Sequence, residues 1–373
     1  MELITKPDWQ EAEKRIDAWW HGEIIDRAVL QVTAPKLGPS PEYAALGSSA
    51  GITDPAQLMH WFTDPAVVIP RLEKHVEMTY WGGEAFPVIF PVAVHLVAIA
   101  AAYLGAPYRP VPGSDSAWAE AIIEDWGAWP PLAYNPESPW WLISKKLLEA
   151  ASPRAPGRYH IGVPDLNGPT EVVALLRGTE RLLVDLLEAP EAVKQAVDEA
   201  NLAWLRYWQA AIGIIHQHIG GYIYWIGIPS DRPSIDLQCD VSCMVSPKLF
   251  EEVFLPSIEQ QTRWVERTIY HLDGPDAIRH LDALLALPHL SGIQWVPGAG
   301  APPMSKWIRL LRRIQAKGKL LVLNCEPWEV EILLAELEPE GLCLQTSCPT
   351  VEMAADLLAK APRWTKKRRW VTA

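Results

Sequence analysis

The segment that ends in His271-Leu272-Asp273 places an imidazole and a carboxylate at the end of an apolar run. His271 and Asp273 are two residues apart, so both side chains lie on the same face of a β-strand. A carboxylate can hold an imidazole in place as a general base, or the two groups can bind a metal ion together. Alternatively, His271 could have only a structural role and form a hydrogen bond among the residues at this end of the barrel. We therefore expect a catalytic or metal-binding site here.

Other apolar segments also end in polar, thiol or aromatic residues. Asp165 and Asp240 are candidates for positioning a substrate or moving protons, although Asp165 could instead stabilise a turn. The side chains that we expect to contact the substrate are Asn167, Trp225, Cys239, Tyr270 and Trp295. Cys325 and Cys348 end the last two segments, where thiols could serve a site. For Cys239, the alternative to a role in the site is a position in the hydrophobic core. Cys343 is predicted to lie in the core.

The predicted order of secondary structure brings these residues to one end of a sheet. Eight short apolar segments, separated by helical ones, are predicted strands over residues 27–35, 85–94, 158–169, 220–228, 267–274, 291–299, 319–327 and 341–349. Helical crossovers imply parallel pairing, and apolar strands imply a sheet covered on both faces. We predict an α/β fold consisting of a single (β/α)8 barrel of the TIM type, with its site where the strands end. The competing open doubly wound sheet lacks a GxGxxG pattern after its first strand.

Two regions fall outside the regular alternation of strand and helix. Residues 1–26 are predicted to form a helical extension packed outside the barrel, which itself spans residues 27–373. An insert at about residues 105–157 is rich in proline and tryptophan and is predicted to form a cap or lid.

Composition excludes several classes of protein. The chain of 373 residues has a formal charge of −12, and its one basic run is the terminal "KKRR", which argues against general nucleic-acid binding. No run of 18 apolar residues suggests a membrane span, and the first residues lack a secretory pattern, so we expect a cytoplasmic protein. Five cysteines in a long chain do not suggest a disulfide framework, while 19 tryptophans suit a pocket for a flat or apolar ligand.

The order of the segments resembles the uroporphyrinogen decarboxylase-like superfamily, over about residues 20–360. That superfamily includes the decarboxylase and methyltransferases that act on corrinoid proteins or coenzyme M. The matching segments are "DVSCMVSPKLFEEVFLPSIEQQ" (240–261), "YHLDG" (270–274), "LNCEPWEVE" (323–331) and "LQTSCP" (344–349). The resemblance implies the same barrel fold.

The methyltransferases of this superfamily bind zinc through a His-x-Cys on the fifth strand and a late cysteine. Carried over by position, the resemblance implies a zinc site formed by His271, Asp273 and Cys348. Cys325, which ends the neighbouring strand, could supply a second sulfur; the alternative is a site without metal in which His271 and Asp273 act as a base and its orienting group. Asp273 stands where the superfamily has a thiolate, which would make the metal a harder Lewis acid. The chain has no Asp-x-His-x-x-Gly corrinoid motif, so a corrinoid would come from a separate partner protein.

Three functions follow from these observations. The leading hypothesis is a metal-assisted methyltransferase that acts on a small-molecule substrate, as a monomer or a homodimer. The second is a metal-independent lyase or decarboxylase that uses His271, Asp273 and Asp165 as acid–base groups. Uroporphyrinogen itself is a poor candidate substrate, because the first segment "RAVLQVTAPKLGPS" lacks the arginines of the decarboxylase signature. The third is a barrel that binds a flat ligand without catalysis.

Overall fold

A seven-stranded sheet forms the centre of the protein, in a computed structural model that describes residues 3–92 and 98–366. The strands are β1 (Val29–Pro35), β2 (Thr79–Gly83), β3 (Val88–Ile89), β4 (Tyr108–Pro110), β5 (Ala117–Ala119), β6 (His160–Ile161), β7 (Ser234–Gln238), β8 (Arg267–Asp273), β9 (Gly292–Val296), β10 (Leu320–Asn324) and β11 (Leu342–Ser347). The large sheet has the order β2-β1-β11-β10-β9-β8-β7, and its pairs are parallel except for β1–β2. Strands β3 and β6 form a separate parallel pair, and β4 and β5 form an antiparallel hairpin.

Helices separate the parallel strands, as the helical segments between the predicted strands indicate. The α-helices are α1 (Trp9–Trp20), α2 (Pro41–Gly47), α3 (Pro55–Thr63), α4 (Pro65–Met78), α5 (Ile99–Tyr103), α6 (Pro139–Ala151), α7 (Pro169–Arg177), α8 (Thr179–Glu188), α9 (Pro190–Ile215), α10 (Pro247–Leu249), α11 (Leu255–Trp264), α12 (Leu281–Leu285), α13 (Ile308–Gln315), α14 (Val330–Glu336) and α15 (Val351–Trp364). The predicted α/β class is therefore confirmed. Within the described ranges, no helix has the length and apolar character needed to cross a bilayer.

The predicted strand over residues 220–228 is wrong. That segment forms a loop held by paired backbone bonds between Tyr222 and Ser230, and the strand at this place in the chain is β7, over Ser234–Gln238. The aromatic and β-branched residues of the loop are buried by packing, with Ile223 at 1% exposure and Ile226 at 4%. Because these residues are buried, the segment has the apolar sequence pattern that is typical of a strand. Within the described residues, the hydrogen-bonded ladders do not close into a ring, since β2 and β7 are the two edges of the sheet.

Side chains alternate between the two faces of β8, as the period of a strand requires. Ile269 belongs to an inner cluster with Val322 and Cys343, from β10 and β11, whereas Tyr270 and Leu272 pack in the larger core beneath the helices. His271 and Asp273 share the inner face with Ile269 and follow it toward the carboxyl end of the strand. The prediction that Cys343 lies in the core is confirmed.

Helix α1 lies at the opposite end of the sheet from His271. It buries Ile16 and Trp19 in the same inner cluster as Val29, at the start of β1, and Leu320, at the start of β10. Asp17 also lies 3.7 Å from Arg267, the first residue of β8. The helix predicted within the N-terminal extension therefore covers the amino ends of the strands.

Candidate metal centre

Asp240, His271 and Asp273 meet at the carboxyl end of β7 and β8, where one ligand atom from each lies within 4.8 Å of the others. The parallel register pairs Gln238 with His271. The chain leaves β7 at Gln238 and enters a 3-10 helix over Asp240–Met244, so the side chain of Asp240 reaches the end of β8. An imidazole nitrogen and two carboxylate oxygens form a donor set that divalent metal ions accept.

The ring of His271 is held in one orientation by Gln294. Nδ1 of His271 lies 2.7 Å from Oε1 of Gln294, its neighbour across the β8–β9 ladder. Because the amide oxygen of Gln294 can only accept, Nδ1 carries the proton and donates it. Nε2 is then the unprotonated nitrogen and is available to bind a metal or accept a proton. Trp225 packs against the same ring, with ring centroids 4.9 Å apart and planes at 78°.

One oxygen of Asp273 gives the clearest sign that a cation fits at this position. Oδ1 of Asp273 is buried and has no hydrogen-bond partner within the described residues. A buried carboxylate oxygen without a partner is energetically costly, and such groups are rare in folded proteins. A metal ion shared with Asp240 and His271 would supply the partner that this oxygen lacks, so the residues fit the group.

The carboxylates around His271 are crowded, and they range from the buried Asp165 to Asp240, which is partly open to solvent. The pKa of Asp165 is raised to about 6, chiefly by burial and in part by the charge of Asp240, against the opposing effects of the Asn167 hydrogen bond and of His271. Burial also raises the pKa of Asp240, and Asp273 adds to that increase. Proximity of like charges in a poorly solvated site favours protonation or binding of a cation. These pKa values indicate a site that would gain from bound positive charge.

Glu171 supports Asp240 and was not anticipated from the sequence. Its Oε1 accepts hydrogen bonds from the backbone N–H groups of Asp240 and Val241, and its Oε2 has no partner within the described residues. Burial, followed by the charge of Asp240, raises the pKa of Glu171 to about 8. Glu171 lies in the first turn of α7, where an acidic residue is ordinary because it interacts well with the helix dipole. No feature of the sequence separates it from such a residue.

Two cavities meet beside the centre and share Trp225. The first, of about 760 Å3, is bounded by Asp165, Asn167 and His271, and by the β4–β5 hairpin of the predicted insert. We call it the hairpin cavity. The second, of about 960 Å3, is lined by Asp273, Gln294 and polar side chains from the ends of β10 and β11; we call it the amide cavity. Asp240 and His271 line the hairpin cavity and Asp273 lines the amide cavity, so two ligands could approach the group of three from different sides.

The predicted thiol ligands do not join His271 and Asp273. Within the described residues, the one group of three or more candidate ligands contains Asp240 and neither sulfur. Cys348 is 2% exposed and follows β11, where its backbone N–H donates to Thr33, while Cys325 lines the amide cavity. Strand β9 lies between β8 and both of their strands. Burial also raises the pKa of both thiols, which opposes formation of thiolates.

Three of the five predicted substrate contacts lie elsewhere. Tyr270, Trp295 and Cys239 are 1%, 0% and 2% exposed, belong to the main core, and line neither cavity described above. Tyr270 and Trp295 are on the outer face of their strands because each stands next to an inward-facing residue. Trp225 and Asn167 do line a cavity. Asn167 has a positive φ of 55°, and its Oδ1 accepts a hydrogen bond of 2.9 Å from the N–H of Ala98.

The chain matches no protein-family profile and no curated protein. Its fold is similar to that of a solved structure, a methyltransferase from Methanosarcina mazei. The TM-score is 0.60 at 14% sequence identity, and the match covers 94% of this chain and 98% of the other. At this identity the similarity concerns the fold.

Proposed function

We propose that the chain is an enzyme that binds a divalent metal ion through Asp240, His271 and Asp273 and transfers a methyl group of a small substrate. The observation that carries the proposal is the partnerless buried oxygen of Asp273 beside the free Nε2 of His271 and a second carboxylate. Zinc is our first choice of metal, since it accepts nitrogen and carboxylate ligands and tolerates an open fourth position. Bound there, it would act as a Lewis acid on a substrate or acceptor group.

The residues of the chain divide the remaining tasks. Asp240 and Asp273 hold positive charge at the meeting point of the cavities, and Gln294 keeps the His271 ring oriented. Asp165, with a pKa of about 6, can exchange a proton near neutral pH. Trp225 separates the two cavities and provides an apolar wall next to the imidazole.

Methyl transfer is favoured by the presence of two cavities, because a donor and an acceptor must both reach the centre. The structural neighbour from Methanosarcina mazei is a methyltransferase, which agrees with this choice. We propose a corrinoid on a separate protein as the partner in the transfer, as the resemblance to the uroporphyrinogen decarboxylase-like superfamily implies.

We also propose that the strands belong to a barrel of the (β/α)8 type. The eight strands of this barrel would be β1, β3 and β6–β11, with the pair β3–β6 lying between β1 and β7. Two backbone bonds lie near these gaps: the N–H of Glu84, just after β2, donates to the carbonyl of Leu30 in β1, and the N–H of Val163, just after β6, donates to the carbonyl of Ile223 in the loop before β7. In such a barrel the carboxyl ends of the strands surround the site.

Acid–base catalysis without a metal is the second candidate, and the raised pKa of Asp165 favours it. A proton donor with a pKa of about 6 beside an imidazole suits a lyase. However, the hairpin cavity presents Asp115, Asp165, Glu171 and Asp240, and its described lining includes no lysine or arginine. Without a metal, a carboxylated substrate would be repelled there.

Elemental analysis of protein purified without chelator, combined with a methyl-transfer assay, tests the proposal. We expect about one metal ion per chain and its loss in His271→Ala. We also expect transfer of the methyl group of a substrate to an added corrinoid in its Co(I) state, with release of the demethylated substrate, and this transfer stops with chelator and returns with zinc. A metal-free protein that turns over a substrate by an acid–base reaction would instead support the lyase. Binding of a ligand with no product, unaffected by His271→Ala, would contradict both.

A further inference from the structure

The hairpin cavity has an unusual combination of walls: two indole rings and several carboxylates. Trp118, on β5, lines it from the hairpin, and Trp225 lines it from the side of His271. The described lining contributes four carboxylic acids and one imidazole, with no lysine or arginine. Indole faces and carboxylates both attract organic cations.

Asp165 is the buried acid that points to a ligand. It is 8% exposed and lines the cavity, yet it makes a single hydrogen bond, which its Oδ1 accepts from the N–H of Asn167 at 2.9 Å. Its other oxygen has no partner within the described residues. A carboxylate in this position lacks a positive partner, and Asp240 and Asp273 are already occupied if they hold the metal.

One organic cation would offset the acid of the cavity that has the fewest partners. A divalent ion would offset Asp240 and Asp273, whereas Asp115 and Glu171 accept hydrogen bonds from neighbouring serine or backbone groups, which leaves Asp165 with the fewest partners. An anionic ligand would meet these acids without an arginine or lysine to receive it. A neutral ligand would leave the carboxylates uncompensated.

We propose that the hairpin cavity binds a methylated ammonium ion, with the ammonium group near Asp165 and its methyl groups against Trp118 and Trp225. Naming this ion as the methyl donor rests on the proposed function: one N–CH3 bond would break, the methyl group would bond to the Co(I) of the partner's corrinoid, and the amine would leave with the electron pair of that bond. Its binding does not depend on turnover and can be measured separately.

Calorimetric titration of the intact chain with choline tests the proposal. Its matched controls are the neutral isostere, in which carbon replaces the ammonium nitrogen, and tert-butylacetate as an anion. We expect choline to bind at least about tenfold more tightly than the isostere, and the anion not to bind. Comparable affinity for choline and the isostere, or preference for the anion, would overturn the proposal without any variant being required.

Two variants locate the binding site. Trp118→Leu and Asp165→Asn should each weaken choline binding about fivefold or more, whereas Trp328→Leu, at an exposed tryptophan outside both cavities, should not. Unchanged binding in both Trp118→Leu and Asp165→Asn would place the cation elsewhere and overturn the assignment. Selective choline binding without methyl transfer would leave this inference standing and count against the proposed function. Transfer from a neutral methylated compound, without choline binding, would support the proposed function and overturn this inference.

Discussion

Gln294 accepts a hydrogen bond of 2.7 Å from Nδ1 of His271, across the ladder that pairs β8 with β9. This contact fixes which nitrogen of the ring is free. Gln294 is 2% exposed, so solvent cannot readily replace it as the acceptor. The orientation of the imidazole at the centre is therefore a property of the sheet, since both residues are strand positions.

Replacing Gln294 should weaken metal binding even though the residue does not touch the metal. We expect Gln294→Ala to reduce zinc affinity about 10- to 100-fold, because the ring loses the acceptor that orients it. Gln294→Glu should retain most of the affinity, since a carboxylate still accepts from Nδ1. Competition titration with a zinc-sensitive dye measures both. Equal affinity in wild type and Gln294→Ala would contradict the role of this hydrogen bond.

The ligand set can be distinguished from the thiol-containing set expected from the sequence. Asp240→Asn and Asp273→Asn should each lower bound metal by at least about tenfold in affinity, because each removes a charged oxygen donor. Cys348→Ser should leave metal content unchanged, as that sulfur is outside the group. Elemental analysis of the three variants, prepared in parallel, provides the comparison. Loss of metal from Cys348→Ser alone would favour the thiol-containing set.

Asp165 should make stability depend on pH in a predictable direction. Its pKa is raised by burial to about 6, so the folded state holds the proton more tightly than the unfolded chain. Its contribution is fully present below about pH 4, where both states are protonated, and is lost as the pH rises through 6. Asp165→Asn should match wild type near pH 4 and exceed it by up to about 3 kcal/mol at pH 8.

Urea unfolding of chelator-treated protein at both pH values measures this difference, since a bound metal would oppose the effect. Glu23→Gln, at an exposed position just after α1, is the control and should show little change. An Asp165→Asn variant that is no more stable than wild type at pH 8 would argue against a buried, destabilising carboxylate.

Gly168 precedes the helix that carries Glu171 and leaves no room for a side chain. A Cβ at this position would overlap Oε2 of Glu171 and the carbonyl oxygen of Gln238. We expect Gly168→Ala to cost about 1–3 kcal/mol of stability and to weaken metal binding, because Glu171 supports the backbone of Asp240. Thermal unfolding and zinc titration measure the two effects.

Gly220→Ala is the matched control for Gly168→Ala. A Cβ there would meet nothing within 4 Å, so the expected change in stability is within about 0.5 kcal/mol. A Gly168→Ala variant that behaves like this control would show that Glu171 can move freely.

The sequence predicted most of the strands because short apolar segments bounded by glycine, proline or aspartate carry a local signal. The prediction failed over residues 220–228, where the apolar residues are buried in a loop and not in a strand. Ile223 and Ile226 are buried because a loop packs into the interior, whereas the true strand β7 contains Asp236 and Gln238, which give it a polar sequence pattern. Tertiary packing, which no local pattern records, decides such cases.

The candidate centre was only partly predictable for a related reason. The two-residue spacing of His271 and Asp273 fixes their shared face, and that inference is local. Which other strand end supplies the third ligand depends on the order of strands in the sheet, and β7 rather than β11 is the neighbour of β8. Position-by-position transfer from a resemblance therefore selected Cys348, whereas the register selects Asp240.

Helix α1 covers the amino ends of the strands, whereas the candidate metal centre lies at their carboxyl ends. A tag or surface linker joined ahead of α1 would consequently point away from the cavities. A chain immobilised in this way would expose both cavities to solution in one orientation. Binding of the proposed corrinoid protein could then be followed in real time, because the surface around the cavities would stay free.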